Sequence, residues 1–120
     1  MPGVSLTEFK GKKILYEDFS GCKPDTIGPY IEKAGQIIRQ QAKGSVLALV
    51  NLTGTRFDQA LVDRFQSFVE RNAPFVRCSA IFGMGAFHAV VYRCVVASTG
   101  RANLKVFQSE EEAKDFLAGL

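Results

Sequence analysis

The pattern of apolar and polar residues over the first 44 positions predicts two β-strands followed by one amphipathic α-helix. Two runs rich in β-forming residues, VSLTEF and KILYEDF, are separated by the turn KGK, which predicts a β-hairpin. We expect Asp25 or Thr26 to cap the helix that follows and Gly44 to end it. Pro29 suits the first helical turn, where a missing N–H costs little. The apolar face of this helix recurs at i, i+3, i+4 and i+7: Ile27, Tyr30, Ile31, Ala34, Ile37 and Ile38.

The middle of the chain alternates apolar strands with amphipathic helices. SVLALVNL and FVRCSAIFG are apolar at successive positions, which is typical of strands covered on both faces, and NLKVF predicts a short last strand. The segment 86–100 has both helical spacing and high β-propensity, and we assign it to a helix because a parallel crossover needs one there. A further helix, closed by Asn72 and Pro74, is indicated by an apolar stripe: Leu61, Val62, Phe65, Phe68 and Val69.

The carboxyl-terminal segment SEEEAKDFLAGL predicts a well-defined helix. Ser109 and Glu112 form a capping box, and Glu110 and Glu111 place negative charge in the first turn. The core-facing positions are Ala113, Phe116, Leu117 and Leu120.

The predicted element order is β-β-α-β-α-β-α-β-α. With right-handed crossovers, this order gives a single α/β domain over residues 1–120. Its sheet is mixed but mostly parallel, with one antiparallel edge and helices on both faces. Three loops, 20–25, 53–58 and 83–88, then emerge at the carboxyl ends of neighbouring strands, where α/β proteins place ligands. We call these three loops the rim.

Composition narrows the class of protein. The net charge is +3, and the basic residues are spread along the chain, which argues against a nucleic-acid-binding surface. Three cysteines without a C-x-x-C pair indicate reduced thiols in a cytoplasmic protein and no zinc site. The amino-terminal segment lacks the apolar core of a signal peptide, and the longest charge-free run, 78–92, falls short of the roughly 20 residues of a membrane helix.

Four stretches carry a family resemblance: KILYEDFSG, SVLALVNLTGTRFD, NAPFVRCSAIFG and LKVFQSEEEAKDFL. Together they resemble bacterial proteins of the STAS type, which are related to anti-sigma-factor antagonists and to the cytoplasmic domains of sulphate transporters. More narrowly, the chain is similar to a small single-domain STAS-like branch that is often grouped with the lipid-binding CRAL-TRIO (Sec14-like) fold. The resemblance covers nearly the whole chain and implies the α/β fold described above.

The resemblance also identifies a regulatory position. In regulatory STAS proteins, the strand leading into the second helix resembles DLS…F-x-D-S-S-G, and a partner kinase phosphorylates the serine at the helix start to switch binding. Here Asn51-Leu52-Thr53 resembles DLS, with Asn in place of Asp, and Phe57 matches the phenylalanine. The DSSG position reads Asp58-Gln59-Ala60-Leu61, so the usual phosphoacceptor is absent.

The turn after the third strand offers two interpretations. Thr53 or Thr55 could be a displaced phosphoacceptor, or both could bind an anion together with Arg56 at the helix amino terminus. The alternative, which we favour, is that Gly54 permits the turn while Thr55 or Asp58 caps the helix.

Cys22 and His88 are the other polar candidates on the rim. Cys22 lies next to Lys23 and near a helix start, both of which can lower a thiol pKa, although a passive, half-exposed loop cysteine is the commoner case. His88, the single histidine, follows two glycines in GMGAFH and could act as a base or bind an anion, although we favour a polar residue on a helix face. We expect Cys78 and Cys94 to be core thiols.

Two kinds of function remain open. We expect a non-enzymatic regulatory module that binds a protein partner or a small ligand through the rim, without metal or cofactor. Glu17 and Asp18 point to opposite faces of a strand and form no acid–base pair. The alternative is a carrier of a small apolar ligand or lipid of the CRAL-TRIO kind. The carrier's pocket would be lined by Phe65, Phe68, Val91 and Val95, although core packing explains the same residues. For either function, self-association into a homodimer is left open.

Overall fold

Within the described residues, strands and helices follow one another in the predicted order, and most of the helix predicted between the last two strands lies outside those residues. The computed structural model describes residues 2–85, 92, 93, 96, 97 and 103–120. The strands are β1 (Gly3–Phe9), β2 (Lys12–Asp18), β3 (Val46–Asn51), β4 (Val76–Phe82) and β5 (Leu104–Val106). The helices are α1 (Gly28–Arg39), α2 (Gln59–Asn72) and α3 (Glu110–Ala118), and a single 3₁₀ turn (Ala73–Phe75) follows α2.

Among these residues, five strands form one sheet in the order β1-β2-β3-β4-β5. β1 pairs antiparallel with β2 through the predicted hairpin, and the other neighbours are parallel. The register aligns Glu17 with Val50 and Val50 with Ile81, so these three side chains form one row on the same face. The predicted mixed, mostly parallel sheet with one antiparallel edge is confirmed.

Helices cover both faces of the sheet, as predicted. On one face, α1 and α2 pack on β2, β3 and β4 through residues such as Ile38, Phe65 and Val50. On the other face, α3 packs through Ala113 and Leu117, which are both fully buried. Burial of β3 and β4 on both faces explains why their sequences read as continuous apolar runs rather than alternating ones.

The amino end of α1 differs from the prediction. The residue before the helix is Ile27, which provides no side-chain cap, and Thr26 Oγ1 instead accepts a hydrogen bond of 2.9 Å from the Lys23 amide. The expectation that Asp25 or Thr26 caps α1 is therefore wrong, because the Thr26 hydroxyl serves the preceding turn. Pro29 does lie in the first helical turn, as predicted.

The carboxyl end of α1 also differs. The helix ends at Arg39, five residues before Gly44. Gly44 has a φ of +71° and lies in the turn that enters β3, so it does not end the helix. Its amide donates to the Pro74 carbonyl at 2.9 Å, and this contact fixes the turn against the segment that enters β4.

Helix α3 begins as the capping box predicts. Ser109 Oγ accepts a hydrogen bond of 3.2 Å from the Glu112 amide, and three glutamates occupy the first turn. In the segment that we assigned to a helix between β4 and β5, the described residues 92, 93, 96 and 97 are helical, and the rest of that prediction lies outside the described residues. Within the described part of the chain, no helix is long and apolar enough to span a membrane.

Candidate functional site

The loops that follow β2 and β3, together with the start of the loop after β4, lie against one another at one edge of the sheet. This arrangement arises because β2, β3 and β4 are adjacent and parallel, so their carboxyl ends meet. The described part of the predicted rim, residues 20–25, 53–58 and 83–85, therefore lies at these carboxyl ends, and residues 86–88 of the third loop lie outside the described residues. Two backbone hydrogen bonds join the first two loops: Gly21 N to Thr53 O (2.9 Å) and Arg56 N to Cys22 O (2.9 Å). A third, Leu52 N to Phe82 O (3.0 Å), joins the residues directly before the second and third loops.

Thr55 has a structural position beneath the rim. Its side chain is only 3% exposed, and its hydroxyl donates to the Phe19 carbonyl at 2.8 Å. The Cys22 amide donates to the same carbonyl at 3.1 Å. Thr55 thus ties the turn after β3 to the turn after β2, and a kinase or an anion in solution does not reach its hydroxyl while the rim is folded.

Thr53 and Arg56, by contrast, are exposed on the rim. The Thr53 amide donates to Asn51 Oδ1 at 3.0 Å, an Asx turn that fixes the backbone where the strand ends. Gly54 follows with a φ of +69°, a conformation that residues with a side chain rarely adopt. The turn therefore presents the Thr53 side chain from a rigid backbone.

Asp58 caps α2. Its carboxylate accepts a hydrogen bond of 2.8 Å from the Leu61 amide, which satisfies one of the free donors at the helix amino terminus. Of the two caps considered, Thr55 or Asp58, the structure uses Asp58. The polar residues of the turn thus divide into two that stabilise the fold, Thr55 and Asp58, and two that face solvent, Thr53 and Arg56.

Cys22 is a core residue, contrary to the expectation of an exposed or reactive loop thiol. Its side chain is 2% exposed, and burial, with a smaller contribution from the Asp18 carboxylate, raises the pKa of the thiol. The thiol is therefore neither half-exposed, as we favoured, nor lowered in pKa by Lys23 and the helix start, as the alternative required. The hydrogen bond from the Cys22 amide back to Phe19 turns the residue inward. Cys78 is buried, as predicted.

Four candidates fall in a part of the chain about which the structure says nothing. His88, Val91, Cys94 and Val95 lie outside the described residues. The anion-binding role of His88 and the contributions of the two valines to an apolar pocket therefore stay predictions.

A hydrogen-bonded chain that the sequence did not indicate links the rim turn to α3. Asn51 Nδ2 donates to the Tyr16 hydroxyl at 3.4 Å, and this hydroxyl donates to Glu110 Oε1 at 2.7 Å. Burial, reinforced by the Glu110 carboxylate, raises the pKa of Tyr16 to about 12, so the hydroxyl stays protonated at neutral pH. The Tyr16 hydrogen bond in turn lowers the pKa of Glu110, with a further contribution from Lys114.

An apolar pocket of about 80 Å³ lies between the sheet and α2. Phe65 and Phe68 line it, as the carrier hypothesis requires, together with Val50 and Ile81. Glu17 also lines it, and this side chain is only 2% exposed.

Burial of a carboxylate carries a desolvation cost that its interactions must offset, and Glu17 was not identified from the sequence as a pocket residue. The alternation of faces along a strand could have placed Glu17 on the core side of β2. Glu17 is two residues from the core residue Leu15 and therefore lies on the same face of β2.

Two solved structures with SpoIIAA-like and STAS domains have a fold similar to this one. The structure is similar to that of an uncharacterized protein of the DUF3478 family with a SpoIIAA-like fold from Shewanella loihica PV-4, with a TM-score of 0.73 and 13% identity over 98% of this chain and 95% of that chain. It is also similar to an anti-sigma-factor antagonist (STAS) domain protein from Planctomyces limnophilus, with a TM-score of 0.64 and 12% identity over 97% of this chain and 98% of that chain.

These similarities confirm the predicted STAS-like fold. At such low identities they establish the fold alone, because one fold hosts many functions. No family model and no curated protein match the sequence. The grouping with the CRAL-TRIO fold stays a prediction.

Proposed function

We propose that the chain is a non-enzymatic regulatory module that binds a protein partner through the rim. The observation that carries this proposal is the cross-linked turn after β3. It is fixed to the neighbouring loops by backbone hydrogen bonds and by the buried Thr55 hydroxyl, and it holds Thr53 and Arg56 at the surface. Rigid loops lose little conformational entropy when a partner binds, which favours their use as a recognition surface.

The fold is consistent with a regulatory role, but the serine that a kinase phosphorylates at the start of the second helix in regulatory STAS proteins is absent. The similar protein from Planctomyces limnophilus is described as an anti-sigma-factor antagonist (STAS) domain protein, and that description is consistent with a regulatory role here. In this chain α2 begins with Gln59 and Ala60, so no hydroxyl lies at the helix start. Thr53 is the hydroxyl of the turn that solvent reaches, and any phosphorylation of the turn would fall there.

Capture of a partner tests the proposal. Immobilised wild-type protein is compared with a Thr53→Ala/Arg56→Ala double variant in extracts of the cells that naturally produce the chain. Both side chains are exposed, so the double variant should keep its fold while losing most of the captured partner, because exposed arginines at interfaces often contribute strongly to binding.

Arg77→Ala is the matched control, since it removes an exposed arginine at the start of β4, the end of the strand opposite the rim. Equal capture by the double variant and by wild type would contradict binding through the rim. Equal loss in the Arg77→Ala control would show a nonspecific charge effect.

The apolar pocket favours a second candidate function, the binding of a small apolar ligand with one polar group. Its wall combines Phe65, Phe68 and Ile81 with the buried Glu17, and such a combination is typical of ligand sites, where a few polar groups orient an apolar molecule. The volume of about 80 Å³ is below the roughly 300 Å³ at the lower end of common ligand pockets, which disfavours a long-chain lipid.

Native mass spectrometry of the purified protein tests the second function. A retained small molecule would appear as an added mass that is lost on denaturation. Substitution of Ile81 by Phe fills the pocket and should abolish the added mass, whereas Val106→Phe, on the exposed edge strand, should retain it. Protein that is free of added mass, even when purified from its native cells, would contradict ligand carriage.

A further inference from the structure

We propose that the groove between α1 and α2 binds the phosphate group of a phosphate monoester. Three arginines from the two helices, Arg39, Arg64 and Arg71, line this groove against one acid, Glu32. Three positive charges and one negative charge leave +2, which complements the charge of about −1.5 to −2 on a phosphate monoester at neutral pH. We call this site the arginine groove. The proposal is independent of the rim, because none of these residues belongs to the rim loops.

Arg39 is held in place before any ligand arrives. Its Nη1 donates to Asn72 Oδ1 at 3.1 Å, and Asn72 is only 2% exposed. The Asn72 amide is itself fixed, since its Nδ2 donates to the Phe68 carbonyl at 2.8 Å. A buried amide with both ends bonded orients one edge of the guanidinium and leaves further N–H donors of the same group for a ligand. Such preorganisation reduces the entropy lost on binding.

A glycine on α1 provides the space for this guanidinium. A Cβ atom at Gly35 would lie 2.8 Å from Arg39 Nη1, so a side chain at this position would force the guanidinium to shift. The Arg39 side chain therefore lies along the bare surface of the helix one turn before it. A similar relation holds at Gly28, where a Cβ atom would lie 3.2 Å from Arg64 Nη1. Two guanidinium groups thus lie close to the α1 backbone because these positions lack side chains.

The other two arginines can turn toward a ligand at low cost. Arg64 Nη2 is 3.7 Å from Glu32 Oε1, which is longer than a hydrogen bond, and the two side chains are 44% and 63% exposed. Exposed pairs of this kind contribute little free energy, so a doubly charged ligand competes with Glu32 easily. Within the described part of the chain, the Arg71 side chain makes no hydrogen bond or ion pair. Phosphate oxygens suit these groups because planar guanidinium donors bind them in a bidentate manner.

Titration of the purified protein with glycerol phosphate tests this site. Binding is followed by two-dimensional NMR, and shifts should concentrate on α1 and α2. Arg39→Gln and Arg71→Gln should each weaken binding by about 10-fold or more, because each removes a charge-assisted pair of hydrogen bonds. Arg77→Gln, which removes the same charge from β4 outside the groove, should leave the affinity within about two-fold of wild type.

Gly35→Ala separates geometry from charge. This variant keeps all three arginines. The gain of about 1 kcal/mol in helix propensity offsets the loss of the Arg39–Asn72 hydrogen bond, so the fold should be kept. The new methyl group displaces the Arg39 guanidinium, and binding should weaken by about 10-fold. Unchanged affinity in Gly35→Ala, or equal weakening in Arg77→Gln and Arg39→Gln, would overturn the proposal.

The source of the phosphate group is determined by a parallel experiment. Vesicles of phosphatidylcholine with and without phosphatidic acid are sedimented with wild-type protein and with Arg39→Gln. Sedimentation that needs both phosphatidic acid and Arg39 assigns the groove to a lipid headgroup, whereas binding of glycerol phosphate alone assigns it to a soluble ester. Absence of binding to both probes would overturn the site.

Discussion

Replacement of Gly83 by alanine is expected to destabilise the protein by about 2–5 kcal/mol. Gly83 has a φ of +79°, where an L residue carries about 1–2 kcal/mol of strain. The added Cβ atom would also lie 2.7 Å from the Thr53 amide nitrogen and 3.0 Å from the Thr53 Cα, and it would overlap the Thr53 hydroxyl. Overpacking of this kind adds about 1–3 kcal/mol, and a backbone neighbour cannot move away by a change of rotamer.

Gly11→Ala is the matched control for this prediction. Gly11, in the β-hairpin turn, has nearly the same φ, +78°, but a Cβ atom there would meet no atom within 4 Å. Urea denaturation of the two variants measures strain alone in Gly11→Ala and strain plus steric overlap in Gly83→Ala. Equal losses of unfolding free energy would show that the turns after β3 and β4 are not packed against each other, and the rigid rim would be wrong.

The order of the elements and the position of the rim could be predicted from the sequence, because both depend on patterns among neighbouring residues. Apolar runs, helical spacing and the turn residues around Gly54 are read from neighbouring positions, and adjacency of parallel strands then places their loops together. The Ser109 capping box is local in the same sense, and its side-chain hydrogen bond to the Glu112 amide forms in the structure.

The chemistry of individual side chains was less predictable because it depends on tertiary contacts. From the sequence Cys22 resembles a loop cysteine. In the structure its amide donates a hydrogen bond to the Phe19 carbonyl, and its side chain lies in the core. From the sequence Thr55 resembles a surface hydroxyl, but in the structure it is buried and its hydroxyl donates a hydrogen bond to the same Phe19 carbonyl. The arginine groove brings Arg39 of α1 to Asn72 of α2, 33 positions apart in sequence, and no local pattern reports that distance.

Replacement of Phe65 by alanine should be the most destabilising core substitution considered, with a loss of about 3–5 kcal/mol. Phe65 is 8% exposed, and its ring lies 5.6 Å from that of Phe19, 5.3 Å from that of Phe57 and 6.0 Å from that of Phe68, measured between centroids. Each such aromatic pair contributes about 0.5–1.5 kcal/mol in addition to the free energy gained by burying the rings. Phe65→Leu, which keeps most of the volume, should lose only about 1–2 kcal/mol in urea denaturation.

The Phe65→Ala variant should also loosen the rim before the whole protein unfolds. The Phe19 ring packs edge-on against Phe65, while the Phe19 carbonyl accepts hydrogen bonds from Thr55 and Cys22, so loss of the ring support weakens both turns. Alkylation of Cys22, measured by peptide mass spectrometry, should therefore accelerate more than alkylation of Cys78, which packs on the α3 face of the sheet. Equal acceleration of the two thiols would mean that only global unfolding exposes Cys22. In that case the rim and the core beneath it would be a single cooperative unit, and the support that Phe65 gives to the rim would not be separable from its support of the fold.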